Sequence, residues 1–217
     1  MAYLIQPAQA VGPGQNLLAV GAPPDALILN LGSGVPLYEK AGPFDMIHVD
    51  LYPYEGVDLV CDAAELPFQD DSVDGIYNES LIEHLKRPEI VLDEIKRVLK
   101  IEGKAYLVIP QVAPFHASPH DYRRYTLPGG EDLLSDFNVI DKGVRHGPVS
   151  ALLWLGQEFL AMACSFGNQK LYSAFLAFFM LATFPIKFLD FIFSRWPNAS
   201  IMSCTLYYLI QNKSSGR

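Results

Sequence analysis

Five short stretches of the 217-residue sequence carry residues suited to chemistry. The first, LNLGSG (29–34), ends an apolar run in Gly32, Ser33 and Gly34. A glycine-rich turn after a strand lets backbone approach a polar or anionic ligand closely. The second, HVD, ends in Asp50, followed by Leu51. A carboxylate at the end of the strand after such a turn can accept both hydroxyls of a ribose. The third, CDAAELPF, sets Asp62 beside the small Ala63, where a planar ring could lie with its amino group facing the carboxylate. The fourth, NESLIEHL, contains Asn78, Glu79 and His84. The fifth, PFHASPHDYRRYT (114–126), contains His116, His120, Asp121, Tyr122, Arg123 and Tyr125.

The chemistry of the last two stretches is proton removal and polar recognition. Histidine is the usual base near neutral pH. Arginine grips carboxylate or phosphate with a two-pronged fork, and tyrosine stacks on a sugar or ring. Structural duties compete with these roles. His84 could order a helix start, and Asp121 could pair with an arginine as a clamp. His116, His120 and Asp121 also offer metal-ligand types, but Pro119 interrupts the helix that an i, i+4 histidine pair needs. No metal is expected.

Several classes are set aside by what is missing. The phosphate-loop ending GK[ST] is absent, which argues against a nucleoside triphosphatase. The dinucleotide pattern GxGxxG begins at Gly32 and Gly34 but meets Leu37 at its third glycine, so a nicotinamide-dependent dehydrogenase is a weaker alternative. Net charge is −8, and Arg123-Arg124 is the one dense basic pair in mid-chain, so no nucleic-acid partner is expected. Cys61, Cys164 and Cys204 are odd in number and far apart, which reads as buried thiols in a reducing compartment. The N-terminal MAYLIQPAQAVGPGQ lacks a basic start and a long apolar core. A cytoplasmic protein is expected.

Elements that could position these residues alternate along the chain. Residues 1–25 read as a loosely held lead-in. ALILNL (26–31), DMIHVD (45–50), VDLVCD (57–62), VDGIYNE (73–79) and KAYLVIP (104–110) read as strands. Pro88 suits the first turn of a helix on which Ile90, Val91, Ile95, Val98 and Leu99 recur, with Glu102-Gly103 closing the unit. Strands alternating with helices imply an α/β fold with a parallel sheet, and a ligand at the carboxyl ends of its strands. Residues 26–147 form this core. Residues 148–200 form a strongly apolar insertion of two helices, about 149–165 and 169–194, broken at Phe166-Gly167-Asn168 and kinked at Pro185. Residues 201–217 hold a last strand, CTLYYLIQNK (204–213), and the tail.

Over residues 26–145 the order of LNLGSG, HVD, CDAAELPFQDDSVDGIYNESLIEHL and RVLKIEGKAYLVIP resembles the class I S-adenosylmethionine-dependent methyltransferases. The resemblance implies a Rossmann-like fold, a mostly parallel seven-stranded sheet with helices on both faces and an antiparallel last strand. It implies S-adenosyl-L-methionine as cofactor. Gly32, Ser33 and Gly34 would meet its methionine part, Asp50 its ribose, and Asp62 and Ala63 its adenine; Asn78 and Glu79 would border the methyl group, and Leu51 is a further expected cofactor contact. Asn30 stands where the family usually has an acidic residue, which weakens the expected contact to the cofactor's amino group. The segment between Gly34 and Met46 is short and carries Pro36 and Pro43, so the first crossover helix should be stunted. PFHASPHDYRRYT is similar to a subgroup with an HxxPxDYxRxT-like signature, which often accompanies cell-surface sugar or polysaccharide synthesis.

The expected activity is methyl transfer to a small-molecule, sugar or lipid-linked acceptor, most simply O-methylation. His84, His116 and His120 are the candidate catalytic bases, and Asp121, Tyr122, Arg123 and Tyr125 the candidate acceptor contacts. A non-catalytic cofactor-binding or membrane-recruited protein on the same fold is the alternative. The uncharged run 171–186 ends at Pro185 and Lys187, short of the about 20 apolar residues a spanning helix needs. The stretch 171–193 could instead lie on the inner face of a membrane, pack on its own core, or meet a partner.

Overall fold

The structure, a computed structural model, describes residues 23, 25–36 and 45–213. Nearly all of the expected lead-in 1–25 lies outside these residues. So do Leu37 and most of the segment on which a stunted crossover helix is expected.

Seven strands form one sheet in the order β3-β2-β1-β4-β5-β7-β6. They are β1 (Leu27–Leu31), β2 (Asp45–Asp50), β3 (Leu59–Val60), β4 (Val73–Glu79), β5 (Leu99–Pro110), β6 (Asn138–His146) and β7 (Thr205–Gln211). The pairs β1–β2, β1–β4, β2–β3 and β4–β5 are parallel. Gln111 N–H bonds Cys204 O and Asn212 N–H bonds Gly103 O, so β7 runs antiparallel to β5. Ile28, Leu29 and Leu31 of β1 are fully buried, as a central strand covered on both faces requires. Each such side chain contributes about 1.5–3 kcal/mol. Tyr106 stacks on Tyr77 and Tyr207 at 6.0 and 5.4 Å, tying β4, β5 and β7 on one face.

Helix α1 (Pro88–Val98) begins at the expected proline and buries Val91, Leu92, Ile95 and Val98. The expected stop at Glu102-Gly103 is instead a bulge inside β5. The helix ends at Val98, the strand begins at Leu99, and the register with β4 shifts between Val73 and Gly75. Glu102 takes φ +66°, and a Cβ at Gly103 would meet Lys100 O at 2.8 Å, so the kink needs this glycine. The third strand is also shorter than VDLVCD suggests. A second helix, α2 (Leu127–Leu133), is capped by Thr126. A Cβ at its Gly130 would collide with the hydroxyl of Tyr208, which donates to Leu127 O at 3.0 Å.

Among the described residues the chain divides into two compact units: 23–109 with 117–142 and 207–213, and 110–116 with 143–206. Within the second unit, backbone bonds run from Gln111 and Val112 to Cys204 and Ser203, and from Cys204 to His146. In this unit α3 (Pro148–Ser165) and α4 (Gln169–Thr183) flank Phe166 at φ +49° and Gly167 at φ +80°. At Pro185 the α-helix gives way to a 3-10 stretch, Phe184–Leu189, before α5 (Asp190–Phe193). All three cysteines are free. Cys204 is buried, but Cys61, just past β3, and Cys164, in the last turn of α3, are half-buried.

Candidate functional site

The parallel registers bring four strand ends to one rim. Leu31 pairs with Val49 and with Asn78, and Asp50 pairs with Val60. The chain passes from β1 to β2 on one side and to β4 on the other, so β1 and β4 flank the switch point of the sheet, where open α/β sheets bind ligands. Asn78 Nδ2 donates to Leu31 O across this point at 2.7 Å. Its Oδ1 is buried and has no hydrogen-bond partner among the described residues.

The glycine turn is built for close approach. Gly32 and Gly34 hold φ +66° and +57°, where glycine has no steric penalty. A Cβ at Gly32 would stand 3.2 Å from Leu81 Cβ, so the turn packs on the residue after β4. Gly32 and Ser33 N–H both donate to Val49 O, and Gly34 N–H donates to Asp50 Oδ2. These three N–H groups therefore point to β2, and what the turn offers a ligand is bare backbone. Asp50 Oδ1 accepts from Tyr52 N at 3.0 Å, leaving a second lone pair on each carboxylate oxygen. Leu51 is exposed, and the half-exposed rings of Tyr52 and Tyr54 lie 5.9 Å apart beside Asp50.

Asp62 is exposed and holds its own turn through Ala64 N–H, with Ala63 half-buried next to it. The following loop is anchored from α1. Arg97 donates to Leu66 O and Phe68 O and pairs with Asp70 and Glu94, while Glu94 accepts from Leu66 N. The Arg97 hydrogen bond holds the Glu94 carboxyl below its ordinary range. Asn30 donates to buried His48 Nδ1 at 3.1 Å. The Tyr77 hydroxyl donates to Glu79.

Two of the five stretches are stitched together. The 3-10 turn Ile82–His84 follows β4, and Tyr122 N–H donates to Glu83 O. His84 Nδ1 bonds His120 O at 2.5 Å. Arg123 donates to Leu85 O and Lys86 O at 2.7 and 3.0 Å. Asp121, almost fully buried, is held by both terminal nitrogens of Arg124 at 2.5 and 2.6 Å. Tyr122 is exposed, with its ring 5.5 Å from that of His120. Tyr125 is half-buried, and burial raises its hydroxyl pKa. His116 belongs to the other unit, where Nδ1 bonds Pro114 O and the ring lies 5.4 Å from Trp154.

Arg124, Leu81, Tyr52 and Tyr54 are further residues of this region. Arg124 occupies the arginine position of the HxxPxDYxRxT-like signature. The two tyrosines in LYPYEG, directly after Asp50, were also legible as exposed loop aromatics.

A family model described as a methyltransferase domain matches residues 38–107. No curated protein matches the sequence. Among solved structures, SpnF, a [4+2]-cyclase, superposes with a TM-score of 0.58 at 14% identity, covering 94% of this chain and 81% of that one. A phosphoethanolamine N-methyltransferase 2 of Haemonchus contortus, bound to phosphomonomethylethanolamine and S-adenosylhomocysteine, gives 0.57 at 18% identity, covering 96% and 54%. The chain thus spans about half the length of that enzyme. The 1,6-didemethyltoxoflavin-N1-methyltransferase of Burkholderia thailandensis gives 0.58 at 14% identity, covering 95% and 79%. The fold is that of the class I methyltransferases, and the sequence resemblance to the S-adenosylmethionine-dependent members of that class stands. The cofactor of the class is S-adenosylmethionine, and the rim fits it. The fit rests on the positive-φ glycine turn, the remaining lone pairs of Asp50, and the buried Asn78 Oδ1, which has no hydrogen-bond partner among the described residues.

Proposed function

We propose that the chain transfers a methyl group to a hydroxyl of a small-molecule, sugar or lipid-linked acceptor. The observation that carries this reading is the hydrogen bond between His84 Nδ1 and His120 O. A carbonyl oxygen only accepts, so Nδ1 bears the hydrogen and Nε2 of the neutral ring carries the lone pair. A hydroxyl must lose its proton to attack carbon, and such a nitrogen can take it. Glu83 Oε1 lies 3.7 Å from Nε2.

When bound, S-adenosylmethionine supplies a methyl group activated by a sulfonium. Asp50 would hold the ribose, Asp62 and Ala63 the adenine, and Gly32, Ser33 and Gly34 the methionine part. Asn78 and Glu79 would border the methyl group. Tyr122 is the exposed aromatic on which a sugar or ring can stack. Arg123 and Asp121 would act by fixing the loop that carries His120 and Tyr122. Alignment of the two reactants supplies much of such catalysis, up to about 7–11 kcal/mol. A cytoplasmic site of action is part of the proposal, supported by three free cysteines.

The test is calorimetric titration with S-adenosylhomocysteine, with nicotinamide dinucleotide as control, followed by methyl-transfer assays on hydroxyl, carboxylate and amine acceptors. Binding of the first ligand and ether formation are expected. Transfer only to nitrogen or carboxylate would overturn the hydroxyl reading. Binding without turnover on any acceptor would favour the non-catalytic alternative.

A further inference from the structure

The hairpin of α3 and α4 exposes much apolar surface. Phe166 at its turn is 93% exposed and Leu181 77% exposed, and Phe159, Met162, Phe178 and Ile192 are also open. The helical run Gln169–Phe193 is long and apolar enough to cross a membrane, yet only 17% of its most apolar window is buried in the protein. A patch of this kind on a soluble surface marks a contact with something apolar.

The charges of the hairpin indicate what that contact is. Residues 148–196 hold two acids and three cations, in a chain of net charge −8. Both acids are engaged inside the unit. Glu158 accepts from the Tyr172 hydroxyl and from Trp154 Nε1, and Asp190 is buried. The cations face outward or lie among rings. Lys170 and Arg195 are exposed, and Lys187 sits 4.1 Å above the Phe184 ring. Apolar side chains interleaved with cations, on an otherwise acidic protein, complement an anionic lipid surface.

The hairpin is also closed at its base. Asp190 accepts from Val149 N, Ser150 N and Ser150 Oγ at 2.8, 2.8 and 2.5 Å. The start of α3 and the end of the apolar run therefore meet at one place, and the chain enters and leaves an apolar phase on the same side. Gln157 bonds Thr183 at 2.6 Å midway, so the two arms stay together.

We propose that residues 148–196 form a monotopic anchor lying in the interface of an anionic bilayer, with Phe166 and Leu181 among the acyl chains and Lys170 and Arg195 at the headgroups. This does not depend on the methyl-transfer reading, since none of the readouts below involves turnover. The experiment is co-sedimentation of the full chain with vesicles of phosphatidylcholine alone or mixed with phosphatidylglycerol, at low and high salt. Binding to the anionic vesicles that weakens with salt is expected. Lys170→Gln and Arg195→Gln should each lower it about fivefold. The double variant Phe166→Asp, Leu181→Asp should abolish it while circular dichroism stays unchanged, since both side chains are exposed. Wild-type protein left in the supernatant with both vesicles would overturn the proposal. So would binding indifferent to the double variant, or membrane association that survives alkaline carbonate washing, the sign of a spanning segment. A wild-type dimer by light scattering that the double variant converts to monomer would overturn it in favour of a second copy.

Discussion

Gly34 N–H donates to Asp50 Oδ2 at 2.8 Å, across 16 residues of sequence. The bond locks the glycine turn to the carboxylate that ends β2, so the two halves of the proposed cofactor site are set by one contact. Hydrogen bonds to a charged group contribute about 1.5–3 kcal/mol. Asp50→Ala should weaken S-adenosylhomocysteine binding roughly 10- to 150-fold by calorimetry. Unchanged affinity would remove Asp50 from the site.

Gly32 holds φ +66° against Leu81. Gly32→Ala should cost about 1–2 kcal/mol, from the left-handed backbone and from the 3.2 Å contact. Adding Leu81→Ala removes the Cγ and Cδ1 contacts but keeps the 3.2 Å Cβ contact and the left-handed backbone, so most of the loss from Gly32→Ala should persist in that background, read from denaturant midpoints.

His84 is oriented by His120 O. His84→Gln should leave cofactor binding intact and lower kcat by about 10²–10⁴. His116→Ala and His120→Ala should also spare cofactor binding and reduce turnover. A variant that loses the cofactor instead would move that histidine to the donor side.

His146 is buried beside Arg145, with Nδ1 2.7 Å from Thr205 Oγ1. Burial, with Arg145 adding to it, pushes its pKa down to about 3. The unfolded chain binds the proton first, so the neutral ring's contribution is intact above about pH 6.5 and is lost as pH falls from 6.5 towards 3. Stability should fall by about 1.4 kcal/mol per unit in that window. A His146→Gln variant, compared with wild type by denaturation from pH 7 to pH 4, should show a shallower slope.

Asp190 satisfies two N–H groups at the start of α3 from a fully buried position. Asp190→Ala leaves those donors without an acceptor and should cost about 2–3 kcal/mol. Gly147→Ala should also destabilise the same corner, because a Cβ there would collide with the Asp190 carboxylate. Thermal melts of the two variants check both.

Much of this architecture is local and therefore legible in the sequence. The apolar runs of β1, β2 and β4, the proline that starts α1 and the helix break at Phe166-Gly167 rest on backbone preferences and side-chain periodicity within a few residues. The glycines after β1 and Asp50 after β2 are visible for the same reason. Other features depend on partners distant in sequence. Asn78 meets Leu31 across 47 residues, and Asp190 meets Ser150 across 40. Glu102-Gly103 has the composition of a helix stop, but hydrogen bonding to β4 turns it into a strand bulge. Arg123 and Arg124 are adjacent and chemically alike. Only the fold decides that one grips backbone carbonyls and the other the buried Asp121, because that choice depends on where Leu85, Lys86 and Asp121 stand in space.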